Sequence, residues 1–165
     1  MRKRTVRYLV VLSAFGGALA AAQSAGEGLE ITLKLSTPGV SPAGYLTARP
    51  AAHRVAVRGL RYSAEAPAVE RNPELSEDMM VVAACDRDSR ELARVIVIDP
   101  RLLRAEVADE EGRLTSRRLY RPEVEFTVAL PVRYGIAVLR LFHPVWDGGA
   151  FELELVGEVR FGEAR

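Results

Sequence analysis

Between positions 123 and 161 the chain alternates apolar and polar residues in three successive runs, with turn-forming residues between them and no helical spacing. Val124, Phe126, Val128 and Leu130 share one side of the first run. Ala137, Leu139 and Leu141 share one side of the second, and Phe151, Leu153 and Leu155 one side of the third. A period of two describes extended strands with one buried and one wet face. Phe126, Val128, Leu139, Leu141, Leu153 and Leu155 are the expected inward-facing core.

The upstream chain reads the same way. Leu29, Ile31, Leu33 and Leu35 alternate with Glu30, Thr32, Lys34 and Ser36, which predicts a strand. Pro38, Gly39, Pro42 and Gly44 then break the chain into a loop to about Pro50. A second strand over 52–62 is interrupted at Gly59, where a bulge or bend is expected. Residues 63–78, with Pro67 and Pro73, read as a surface excursion. Met79 to Ala84 is a continuous apolar run of strand length, the mark of a strand covered on both faces or crossing the centre of a sheet. The turn 86–90 leads into a strand from Leu92 to Ile98, ended by Asp99-Pro100. A further hairpin, charged on its outer face, is predicted from 102–108 and 114–121 around the acidic turn Asp109-Glu110-Glu111-Gly112. Pro131, Pro144 and Asp147-Gly148-Gly149 are expected to mark the turns of the last three strands.

Eight or nine short strands with turns between them predict an all-β fold, a single antiparallel β-sandwich over residues 29–165. No cysteine pair surrounds a core tryptophan, so the antibody-type subclass is excluded. The single cysteine, Cys85, ends the apolar run and reads as a buried structural residue.

The N-terminus adds a compartment. Four positive charges in the first seven residues precede an apolar run from Tyr8 to about Ala20, the pattern of a secretory signal peptide over residues 1–22. The apolar run is shorter than the ~20 residues that span a bilayer. Residues 23–28 form a short flexible lead-in. The expectation is an exported protein, periplasmic or extracellular, with no membrane span after cleavage. Removing 1–22 leaves 19 basic and 22 acidic side chains, a net charge of −3. With no basic stripe interleaved with aromatics, nucleic acid is set aside as a partner.

Candidate chemistry is sparse. HExxH, paired CxxC, GxSxG, SxxK and glycine-rich phosphate loops are all absent, and no cofactor is expected. His53 and His143 read as ordinary strand-end residues; the alternative is that the two imidazoles and the one thiol meet in space and, with a carboxylate, bind a metal. Asp86, Asp88 and Glu91 on one turn are the candidate hard-cation ligands, although three carboxylates leave calcium short of its six to eight oxygens. Arg117 and Arg121, with Arg101, Arg104 and Arg118, are candidates for an anion or polysaccharide surface, with pairing to Glu106, Glu123 and Glu125 as the plainer use. Trp146 is a candidate contact anchor in a loop.

Cys85-Asp86-Arg87-Asp88-Ser89-Arg90-Glu91-Leu92, the strand Val124 to Pro131, and Ala137-Val138-Leu139-Arg140-Leu141-Phe142 together resemble accessory immunoglobulin-like β-sandwich domains of exported bacterial proteins, such as those beside secreted peptidases. The resemblance covers about a third of the chain and implies a fold rather than an activity. The expected function is therefore a non-catalytic exported module that binds a protein or cell-envelope component. The alternative is a small hydrolase using Asp or Glu as acid and base in a shallow cleft.

Overall fold

The computed structural model describes residues 28–63, 74–108, 110–131 and 134–161. The signal-peptide expectation lies outside them. The described chain forms β1 (Gly28–Ser36), β2 (Arg54–Ser63), β3 (Met79–Cys85), β4 (Glu91–Ile98), β5 (Leu102–Ala108), β6 (Leu114–Tyr120), β7 (Glu123–Leu130), β8 (Val138–Trp146) and β9 (Phe151–Arg160). Every pairing is antiparallel, in a three-stranded sheet β2-β1-β7, a four-stranded sheet β4-β3-β8-β9, and a separate pair β5-β6. The two larger sheets form a sandwich, with β2 running against β9 and β4 against β7.

Alternation along β1 sends Leu29, Ile31, Leu33 and Leu35 to the inside and leaves Glu30 and Lys34 to pair with Arg61 and Glu123 on the outer face. Opposite them lie Met80, Val82, Ala84, Leu139 and Leu141, and the two inner faces make one continuous core. Each such side chain taken from water stabilises the fold by about 1.5–3 kcal/mol. The apolar run of β3 holds the centre of the larger sheet, buried from Met80 to Cys85 as expected. Cys85 is a free thiol in that strand, and burial pushes its pKa up.

Two bulges set which residues reach the core. On β2, Thr32 faces Gly59 and Leu33 faces Val57, so Arg58 is the extra residue, at the expected bend. The second bulge corrects the core expected from the sequence. Leu141 pairs with Gly157 and Phe142 with Leu155, so Val156 is extra and the parity of β9 reverses there. Val156 is 4% exposed in the core, whereas Leu155 lies opposite Phe142 on the outer face and is 45% exposed. Leu153 shares that outer face, half-buried opposite Pro144.

Pro144 is likewise not a turn residue: it sits inside β8. It is tolerated because β3 pairs with β8 only from Val138 to Phe142, leaving no ladder partner for the missing N–H on that side. At the bulge the two sheets are also joined by backbone. His53 N donates to Val156 O at 2.7 Å, and a Cβ on Gly157 would stand 2.6 Å from Val55 Cγ2 and 3.2 Å from His53 O. Only glycine permits that approach.

The hairpin β5-β6 departs from the expectation of one sandwich holding every strand. Its two strands pair only with each other, apart from a single bridge between Leu46 and Tyr120, and it stands as an arm beside the two packed sheets. A lone two-stranded hairpin is marginal in water, so its anchorage matters.

Candidate functional site

The arm grows from the turn Asp99-Pro100-Arg101. Asp99 N donates to Asp78 O at 2.8 Å and Leu102 N donates to Asp99 O at 2.9 Å, which fixes the start of β5. On the returning side Arg121 N donates to Arg101 O at 3.0 Å. The Arg101 side chain then turns inward between the sheets. Its Nε and Nη2 donate to Asp99 Oδ1 and Oδ2 at 3.1 and 2.8 Å, a bidentate pair. Its Nη1 lies 3.2 Å from His53 Nδ1 and its Nη2 3.2 Å from His143 Nε2.

All four side chains are sealed: Arg101 is 0% exposed, Asp99 1%, His143 2% and His53 8%. Three separated segments thus meet at one ionic plug, the stretch before β2, the β4–β5 turn and β8.

The electrostatics follow from that burial. One guanidinium and one carboxylate already balance, so a charged imidazole would be an uncompensated cation. Burial first, then the positive Arg101, lowers the His53 pKa from 6.5 to about 3. Burial also lowers that of His143, against the hydrogen bond to Asp99, whose Oδ2 is 3.4 Å from Nε2. At neutral pH this contact is therefore a hydrogen bond donated by the Nε2–H of a neutral ring to the Asp99 carboxylate. Burial alone would raise the Asp99 pKa, but hydrogen bonds from His143 and Arg101 outweigh it and hold the carboxyl well below its usual range. Because an arginine only donates, His53 Nδ1 is the acceptor and its proton sits on Nε2, a buried atom with no partner among the described residues.

These directions predict acid sensitivity. The unfolded chain takes up protons on His53 and His143 below about pH 6.5 while the fold refuses them, so stability is full above that value and declines as pH falls toward 3. The depressed Asp99 acts in the same direction, its contribution being lost below its ordinary value of 3.8. Each imidazole contributes a slope of up to about 1.4 kcal/mol per pH unit. The urea midpoint should be flat from pH 8 to 7 and fall steadily from pH 6.5 to 4. A midpoint unchanged over that acidic range would contradict neutral buried histidines.

Further out, Arg104 and Arg118 stand opposite each other across the hairpin, and both reach back to Asp78 on the sandwich, Arg118 at 3.2 Å. Arg118 also lies 3.5 Å from Glu77. The sequence had offered Glu106, Glu123 and Glu125 as partners; Glu123 in fact pairs with Lys34. Arg101, expected on the surface, is buried. By contrast the guanidinium groups of Arg117 and Arg121, the two candidate binding residues of the arm, are exposed and make no ion pair or hydrogen bond among the described residues.

The outward groups of β6 are fixed by its root. Tyr120 exchanges both backbone hydrogen bonds with Leu46, each 2.8 Å, on the edge away from β5. Alternation then turns the N–H and C=O of Arg118, Ser116 and Leu114 to the same open edge.

Trp146 lies further along the same strand as His143, half exposed, with its ring edge-on to Phe151 at 5.1 Å. The candidate cation residues stay apart in role. Asp86 Oδ1 accepts from the backbone N–H of Asp88 and Arg90, both at 2.9 Å, while Glu91 is held bidentately by Arg94. Among the described residues no three His, Cys, Asp or Glu side chains converge as a metal site. The arginine-centred plug was missed by sequence reasoning, and its only local signal was Asp99-Pro100-Arg101, a carboxylate two residues before a guanidinium at a strand end. No protein-family model, curated protein or solved structure matches this chain.

Proposed function

We propose that the protein is an exported, non-catalytic binding module of immunoglobulin-like sandwich type, and that the β5-β6 arm is the element that engages a protein partner in the cell envelope. The observation that carries this reading is the combination of an open-edged hairpin with a deeply fixed root. An arm with free backbone groups is a template for another polypeptide, and natural folds ordinarily cover or blunt such edges. Here the edge is instead held out on a buried bidentate ion pair. The histidines do not favour the hydrolase alternative, because the group between them is a sealed guanidinium and water has no access to it.

A photo-crosslinking residue placed at Ser116, on the arm edge, and in a second variant at Thr127, on the outer face of the three-stranded sheet, tests the reading in the envelope fraction of the producing organism. The arm position should yield a discrete crosslinked protein and the sheet position none. Crosslinks from Thr127 alone, or from neither, would overturn it.

A further inference from the structure

Resting on the reading of the arm as the binding element, we infer that the occupant of the β6 edge is an extended acidic segment of another polypeptide, added as a third strand to the arm. Three observations converge on this. The outward N–H and C=O groups of Leu114, Ser116 and Arg118 form a continuous edge with no strand paired to it among the described residues. At the root the same edge already accepts extended backbone, through the two-bond pair of Tyr120 with Leu46, so its geometry suits strand addition.

The third observation is charge. Arg117 on β6 and Arg121 just past its end flank Leu119, and neither guanidinium has an acidic partner among the described residues, whereas Arg104 and Arg118 are held by Asp78. A strand seated on the edge sets its side chains beside those of β6 on each face, so a carboxylate opposite Arg117 completes the pair and apolar neighbours cover Leu119.

The same charge pattern disfavours one mode of self-pairing: two β6 edges brought together antiparallel about Arg117 would set that residue against its own copy, and like charges directly opposite are unfavourable. Backbone pairing supplies affinity, and the arginine face selects for acid.

The test uses the full chain and a short fluorescein-labelled peptide alternating glutamate and valine, followed by anisotropy at low salt. Companion probes replace each glutamate with lysine, or carry N-methyl groups on alternate amides. The acidic peptide should bind, and the lysine and N-methylated peptides should bind at least tenfold more weakly. Arg117→Glu with Arg121→Glu should lower affinity for the acidic peptide by at least tenfold, and more salt should weaken the wild-type complex. Both substitutions are exposed, and an unchanged urea midpoint confirms that the variant is folded.

Equal binding of acidic and lysine peptides, indifference to N-methylation, or no binding of the acidic peptide would each overturn the inference. A crosslink from Ser116 in the envelope fraction alongside any of these results would leave the arm as a binding element and remove only the acidic-strand occupant.

Discussion

Replacing Arg101 with methionine should destabilise the protein by about 3–5 kcal/mol, because the change strands the Asp99 carboxylate in a site that is 1% exposed. Asp99 would then keep its desolvation cost without the bidentate partner at 2.8 and 3.1 Å, and His53 Nδ1 would lose its donor. Most of that loss arises from an uncompensated buried charge rather than from the intrinsic worth of the pair. The double variant Arg101→Met with Asp99→Asn removes both charges and should therefore recover a substantial part of it. Urea unfolding of the single and double variants checks both statements. A loss below about 1 kcal/mol for Arg101→Met would show that the plug is not what fixes the arm to the sandwich.

The second large effect concerns the core and separates the two faces of the four-stranded sheet. Leu139→Ala should cost about 2–5 kcal/mol, since Leu139 is 0% exposed among Ala84, Leu141 and their neighbours and its loss leaves a cavity. Leu155→Ala should cost less than about 1 kcal/mol, because that side chain is 45% exposed on the outer face. Chemical denaturation of the two variants compares them directly. Equal losses would mean that Leu155 and Leu139 face the same core and that the bulge at Val156 does not operate.

That contrast shows where the sequence was legible and where it was not. The alternation of β1 and the unbroken apolar run of β3 announce their places, because period and burial there agree along the whole strand. Gly59 announces the first bulge. On β9 the alternation of Phe151, Leu153 and Leu155 is genuine and the three do share a face, but the face is the outer one. One inserted residue reverses the parity, and only the register with β8 reveals it. Gly157 was the available signal, a glycine inside an otherwise apolar alternation.

The arm was legible as a hairpin and not as an arm, because local alternation says which residues pair and nothing about which sheet receives the pair. The plug was the least legible of all. His53, Asp99, Arg101 and His143 look like turn and strand-end residues one at a time, and burial of an arginine follows only when distant segments bring it a carboxylate and a neutral acceptor together. Of the candidate binding residues, Arg117 and Arg121 kept their interest for a reason alternation could not supply: Asp78 and Glu77, the acids that the arm reaches, are paired with Arg104 and Arg118 instead.

The central claim, that β6 presents an open backbone edge on a fixed arm, is tested most directly by amide hydrogen exchange resolved residue by residue along β6, free and with the acidic peptide bound. In the free protein the amides of Thr115, Arg117 and Leu119, which face β5, should exchange slowly, and those of Leu114, Ser116 and Arg118 rapidly. Binding should slow the second set and leave amides of the four-stranded sheet unchanged. Slow exchange at Ser116 and Arg118 in the free protein, or protection on binding that falls on β8 and β9 instead, would contradict the account.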